Sequence, residues 1–224
     1  MGFVVEQRAS DSPLVEAIMH GRTVSAGCTI RPAENCWHMV LVRYMDDVRL
    51  LVVGPLTIAG VLPYAEGVEL LWIKFKLGAF MPHQPVREFV DTETALPGAA
   101  SQSFWLKGSA WRFPDYENAD TFVKRLVREE VLVWDPVVND VLNNQRPEYS
   151  ARTVRHRFLR ATGVSHNQIQ QVERARRAER LLRQGVSILD TVAETGYADQ
   201  PHLTRSLRQW LGYTPAQLLR SHVP

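Results

Sequence analysis

The side chains in this sequence best suited to chemistry are arginines, and they are concentrated at one end. Residues 150–224 contain 12 arginines and no lysine against five Asp and Glu, a charge of +7, whereas residues 1–149 hold 14 Lys and Arg against 19 Asp and Glu, or −5. The whole-chain value of +2 hides this polarity. A guanidinium is planar, stays charged and presents donors in a fork that fits phosphate oxygens and the O6/N7 edge of guanine; solubility alone would accept lysine. An arginine-rich basic region beside an acidic one suggests a polyanion as partner, nucleic acid above all. Among the arginines stand Thr153, His156, Gln200, His202 and Thr204, compact donors and acceptors of the kind that contact base edges.

Those side chains need helices to present them, and caps and stops mark where the helices lie. Ser150 can cap ARTVRHRFLRA, which ends at Thr162-Gly163. Ser165 with Gln168 forms a capping box for a helix through IQQVERARRAERLLRQ that stops at Gly185. Ser187 with Asp190 opens ILDTVAET, closed at Gly196, and after GYAD comes QPHLTRSLRQW before Gly212 and Thr214-Pro215. At about 100° per residue, placing Val154 and Phe158 inward turns Arg152, Arg155 and His156 outward, with Thr153 at the edge. Placing Leu203, Leu207 and Trp210 inward does the same for Pro201, Arg205 and Arg208, flanked by His202 and Thr204. Leu181 and Leu182 belong with that core. Each helix thus buries one stripe and shows a face suited to a major groove. Arg176, Arg177, Arg180 and Arg183 on the long helix are candidates either for phosphate or for pairing with neighbours such as Glu173 and Glu179.

The run ARTVRHRFLRATGVS, then RARRAERLLRQG, then SILDTVAETGYADQPHLTRSLRQWLGYTPAQL resembles the DNA-binding domain of the AraC/XylS family over roughly residues 149–220. The most specific part is Gly196-Tyr197-x-Asp199-Gln200-x-His202-Leu203-x-Arg205-x-Leu207, followed by Gly212-x-Thr214-Pro215. The resemblance implies two helix-turn-helix units bridged by the helix around Arg174 to Leu182, with two recognition helices entering successive major grooves on one DNA face. Carried over by position, the base-reading candidates are Arg152, Arg155 and His156 in the first and Gln200, His202 and Arg205 in the second. Two departures stand out. DPVVNDVLNNQRPEYS, with Asn143, Asn144 and Pro147, lies where the family has a regular helix, so the first unit is expected to be irregular. Pro201 replaces a residue that is often small and polar, though proline is tolerated in a first helical turn.

The front half reads differently. WHMVLVRYM, VRLLVV, LTIAGVL and VELLWIKFKL are short β-type runs broken by Gly and Pro, and SFWLKG adds another. Their weak alternation fits strands buried on both sides, in a sandwich or small barrel. GSAWRFPDYEN reads as a link out of the sheet, and Ala119, Phe122, Val123, Leu126 and Val127 predict a helix over 118–134. The expected fold is α+β: a β-rich effector or dimerisation domain over 1–115, a connecting helix over 116–135, and an all-α double helix-turn-helix domain over 136–224. The resemblance implies that the front domain is a reduced, cupin-like one. Trp37, Trp72, Trp105 and Trp111 are its candidate effector-pocket residues, and the apolar stripe of the 118–134 helix is a candidate homodimer face.

Other classes find little support. No apolar run approaches a membrane span, and MGFVVEQRASDSPLVEAI lacks the order of a signal peptide, so a cytoplasmic location without membrane contact is expected. Cys28 and Cys36 match neither a disulfide framework nor a zinc pair. His38 and His83 are isolated, and the His-x-His and Glu of metal-binding cupins are absent. No metal, cofactor or catalytic residue is therefore expected, and the chain reads as a regulator rather than an enzyme. The expected partners are double-stranded DNA, RNA polymerase and a small-molecule effector. The competing reading is a ligand- or protein-binding module whose helical tail docks onto a protein without reading DNA.

Overall fold

The structure, a computed structural model, describes residues 2–100 and 102–220; Ser221 to Pro224, inside the expected C-terminal domain, lie outside the described residues. In chain order the strands of the front half are β1 (Phe3–Arg8), β2 (Val15–Thr23), β3 (Gly27–Arg31), β4 (His38–Tyr44), β5 (Asp47–Val53), β6 (Gly60–Tyr64), β7 (Glu69–Phe75) and β8 (Ala79–Phe80). A 3-10 turn (Val86–Phe89) follows, then β9 (Glu93–Ala95), β10 (Ser103–Leu106), β11 (Ser109–Arg112), α1 (Ala119–Arg128) and β12 (Val133–Trp134). The rest is helical: α2 (Pro136–Leu142), α3 (Ala151–Thr162), α4 (His166–Arg183), α5 (Ile188–Thr195), α6 (Gln200–Leu211) and α7 (Pro215–Arg220). The front half is thus β-rich and the C-terminal third helical.

Six strands form an antiparallel sheet in the order β1-β2-β7-β4-β5-β9, and the pairs β10-β11, β12-β8 and β3-β6 form short ribbons. Packing divides the chain into two compact units. The first comprises the described residues of Met1–Gly27, Cys36–Pro55 and Pro63–Ser165; the second comprises those of Cys28–Asn35, Leu56–Leu62 and His166–Pro224. This division does not follow the boundaries expected near 115 and 135. Helices α2 and α3 pack within the first unit, and two stretches of the front half pack within the second.

In the first unit the apolar runs behave as expected for β4, where His38, Met39, Val40 and Leu41 are buried in succession. Trp37 stacks on Phe75 with ring centroids 4.2 Å apart, and its indole N–H donates to the Ala79 carbonyl at 2.7 Å. The sheet is larger than the sequence suggested. β1 and β2 escape notice because β1 has exposed side chains at its four central positions and β2 mixes Glu, Ala and Gly with its apolar residues. The link expected at GSAWRF is strand β11, which pairs with β10. LTIAGVL is strand only from Gly60 onward.

Helix α1 is shorter than predicted. It ends at Arg128, Glu130 turns to a φ of 52°, and the Leu126 carbonyl accepts from both Val131 and Leu132 N–H. Val133 and Trp134 then pair with Phe80 and Ala79 as strand. Most of the stripe expected to serve as a dimer face is already covered: Ala119, Phe122, Val123 and Leu126 are buried, with Phe122 edge-on to Trp111 and Phe104, and Val127 alone of the five is exposed.

The second unit is organised round α4. Ala175, Ala178 and Leu182 on α4 pack with Tyr197, Leu203, Leu207, Leu211 and Leu218. Leu181 and Trp210, expected in the core, are only half-buried. The last carbonyls of a helix lack intrahelical partners. In α6 two of them are satisfied by the front-half stretches: Ala59 N–H donates to Gln209 O at 2.8 Å, and Ala33 N–H donates to Trp210 O. An antiparallel bridge between Glu34 and Leu56 joins the two stretches.

Candidate nucleic-acid interface

The first candidate surface lies on α3. Ser150 caps it by accepting from Thr153 N–H at 3.2 Å, and Gly163, at a φ of 74°, ends it. Phe158, Ala161 and Thr162 in its second half are buried, while Arg152, Thr153, Arg155 and His156 in its first half are exposed. Val154, expected inward, is half-buried. The preceding α2 has seven residues and gives way to non-helical chain at Asn143, so its sequence did mark an irregular support.

What orients α3 is an ion pair that sequence reading missed. Arg157 donates from Nε to Asp135 Oδ2 at 3.0 Å and from Nη2 to Asp135 Oδ1 at 2.7 Å, and its guanidinium lies 4.7 Å from the Tyr149 ring centroid. Hydrogen bonding to Asp135, and then to Tyr149, raises the Arg157 pKa beyond its already high value. Asp135 is 6% exposed and also caps α2, accepting from Val137 N–H at 3.1 Å. One carboxylate therefore fixes the start of α2 and the angle of α3 together. Arg160 completes the mounting by donating to the Pro82 carbonyl at 3.0 Å, beside the Phe80 ring.

The second candidate surface lies on α6. Ser187 caps α5 by accepting from Asp190 N–H, and Gly196 ends it at a φ of 69°, a left-handed backbone that favours glycine. Asp199 then caps α6, its Oδ1 accepting from His202 N–H at 2.6 Å. Leu203, Ser206, Leu207 and Leu211 are buried. Gln200, Pro201, Arg205 and Arg208 are exposed, and His202 and Thr204 are half-buried beside them. Tyr197 holds this geometry from the turn. Its hydroxyl shares a 2.8 Å hydrogen bond with Ser206, His202 packs edge-on to its ring at 5.1 Å, and the Arg174 guanidinium lies 4.2 Å from its centroid. Tyr197 stood in the recognised motif, but only the fold shows its role.

Two groups of arginines stand out, with Arg177, Arg180 and Arg220 exposed outside both. Arg157, Arg160, Arg174, Arg176 and Arg183 have partners inside the fold. Arg152, Arg155, Arg205 and Arg208 are exposed on α3 and α6 and make no hydrogen bond or ion pair among the described residues. Nothing competes with an external anion for those four.

The four tryptophans expected round an effector pocket are not brought together. Trp37 is buried against Phe75, Trp111 is buried with its indole N–H on the Leu106 carbonyl, and Trp105 is 47% exposed. Trp72 alternates with the buried Leu71 and Ile73 and so points to the other face of β7 from Phe75. Alternation along a strand and burial in separate layers separate residues that composition groups. Burial, and then the Lys107 charge, push the His83 imidazole below its ordinary range.

Helix α5, the turn at Gly196 and the capped α6 form a helix-turn-helix, the geometry that places a second helix in a DNA major groove. Residues 145–221 match the family model described as a helix-turn-helix domain, of the AraC type, and the chain carries a DNA-binding domain consistent with an AraC/XylS family regulator. No curated protein and no solved structure matches the chain. No helix of the described residues is long and apolar enough to cross a membrane.

Proposed function

We propose that α3 and α6 are two recognition helices that enter successive major grooves of an operator, with residues 136–224 as the DNA-binding domain, 116–135 as the connection, and 1–115 as an effector or dimerisation domain. The reading rests on one observation: Arg152, Arg155, Arg205 and Arg208 are exposed and uncommitted, on two helices anchored by buried residues. Arg152, Arg155 and Arg205 suit guanine O6/N7, Gln200 suits adenine N6/N7, and His156 and His202 supply single hydrogen bonds. Thr153, Thr204 and Arg208 lie where phosphates flank those edges, and Pro201 contributes packing against the groove. RNA polymerase is the protein partner of such a regulator, and a small effector sets its affinity.

Selection of bound sequences from a random duplex library with the full chain tests this. Enriched sites should carry two conserved blocks about one helical turn apart. Each phosphate neutralised by an arginine should steepen the fall of log affinity with log salt by about 0.9. A single enriched block would remove the two-groove reading. Duplex affinity that is absent even at low salt would instead support the module that docks onto protein.

A further inference from the structure

Within the second unit lies a cleft of about 370 Å³ that neither the helix-turn-helix geometry nor the family match explains. One wall is α4, which contributes Arg176, Arg180 and Arg183. At about 100° per residue, positions spaced by four and three fall within a 60° arc, so the three guanidiniums project to the same side. The facing wall is apolar: Ile30 and Pro32 from the front-half stretch and Leu211 from the end of α6, with Tyr213 adding a phenol.

The charges are arranged rather than scattered. Arg176 is held at one end by its 3.1 Å hydrogen bond to the Ala33 carbonyl, with Glu34 at 3.8 Å and Glu173 at 3.7 Å. Arg183 is held at the other end, donating from Nε and Nη2 to Glu179 Oε1 at 3.0 and 2.8 Å. Arg180, between them, is exposed and has no hydrogen bond or ion pair among the described residues. Glu34 and Glu173 offset Arg176 and Glu179 offsets Arg183, which leaves Arg180 as the uncompensated cation of the cleft. A DNA phosphate would use the guanidiniums but not a wall of Ile30, Pro32 and Leu211. A small organic anion uses both.

We propose that this cleft is an effector site for a small carboxylate with an aromatic or branched aliphatic body, its carboxylate on Arg180 and its body against Ile30 and Leu211. A ligand there touches α4, the end of α6 and the stretch whose Ala33 N–H holds the α6 carboxyl end. It therefore has direct means to stiffen or shift the second recognition helix. The proposal rests on the reading of α6 as a DNA-reading helix only for this regulatory consequence; ligand binding itself is measured without DNA.

The test is calorimetric titration of the full chain with benzoate, 4-methylpentanoate, inorganic phosphate, and benzamide as the neutral counterpart of benzoate. At least one carboxylate should bind saturably with a Kd below about 1 mM, and benzamide at least tenfold more weakly. Arg180→Gln should weaken carboxylate binding at least tenfold without changing far-ultraviolet circular dichroism, and Tyr213→Phe should weaken it by a smaller factor. Absence of saturable carboxylate binding overturns the proposal. So does phosphate binding as tightly as both carboxylates, or an Arg180→Gln variant that binds benzoate normally while its salt slope for duplex falls by about one; the last result would assign Arg180 to the DNA backbone. Duplex affinity in ligand-free protein, measured alongside, shows separately whether DNA reading fails.

Discussion

Removing the Arg157 guanidinium should unseat α3 by stranding a buried carboxylate. In Arg157→Ala, Asp135 loses two charge-assisted hydrogen bonds, at 3.0 and 2.7 Å, and keeps the Val137 N–H among its donors. Breaking a fully buried ion pair from one side costs about 3–5 kcal/mol. Here the Arg157 side chain is 28% exposed, so water reaches part of the vacated space and about 2–3 kcal/mol is expected. Asp135→Asn keeps an oxygen for Val137 N–H and strands only the Arg157 guanidinium, which is more exposed than the carboxylate and keeps the Tyr149 ring, so it should cost only about 1–1.5 kcal/mol. The order Arg157→Ala worse than Asp135→Asn follows from charge stranding and not from contact loss, which would make the two equal. Urea unfolding followed by tryptophan fluorescence reads both, since Trp134 adjoins Asp135. With a slope of about 2 kcal/mol/M, Arg157→Ala should lower the midpoint by about 1 M. A shift under a quarter of that, or Asp135→Asn proving the more damaging, would refute the reasoning. In the double variant the effects should fall short of additive by about 1 kcal/mol, because removing the carboxylate removes what Arg157→Ala strands.

Other variants separate DNA contact from fold. Arg205→Ala should weaken specific duplex binding by about 1–3 kcal/mol with unchanged circular dichroism and melting, because its guanidinium has no intramolecular partner; loss of helicity would show a structural role instead. Gly196→Ala should cost about 1 kcal/mol in thermal denaturation, from its φ of 69° alone, since an added Cβ meets nothing within 4 Å. Gly54→Ala should cost more, about 3 kcal/mol, because its Cβ would lie 1.6 Å from the Phe89 carbonyl oxygen and backbone must move; equal melting temperatures for the two alanine variants would contradict this. Asp120 titrates below the ordinary carboxylate range: burial opposes its ionisation, but hydrogen bonds from Ser10 and Arg8, the Arg8 charge and the Asp11 N–H outweigh it. A depressed folded pKa stabilises above the unfolded value near 3.9 and loses that contribution as pH falls through the lowered value. The stability gap between parent and Asp120→Asn in urea should therefore be full at pH 7 and shrink steadily below about pH 4.

Local signals carried the helical third and failed where partners are distant. Ser150, Ser187, Gly163, Gly196 and Gly212 are caps and stops whose geometry depends on a few neighbouring residues, and each sits where local sequence places it. The same logic located β4, β5 and β7, whose apolar runs are long enough to stand out. It lost β1 and β2, whose pairing is set by the rest of the sheet, and it extended α1 through Val133, where pairing with Phe80 overrides helical spacing. The tryptophans show the same limit, since composition cannot assign a residue to a layer.

The arginines sharpen the point. Arg155 and Arg157 are neighbours of identical type on one helix, yet one is free and the other is locked to Asp135, 22 positions away. Helical phase separates them by about 200°, which says that they face apart but not which side has a carboxylate waiting. On α4 phase fails altogether: Arg176, Arg180 and Arg183 share a face, and the Ala33 carbonyl with Glu34 and Glu173 at one end and Glu179 at the other decide that the outer two are held and the middle one is not. Charge counting therefore overstates the DNA-facing set. If the partner rule is right, neutralising Arg208 should lower the duplex salt slope by about one, neutralising Arg152, Arg155 or Arg205 should weaken specific binding with stability unchanged, and replacing Arg160 by Gln, which breaks its bond to the Pro82 carbonyl, should lower stability and leave the slope unchanged.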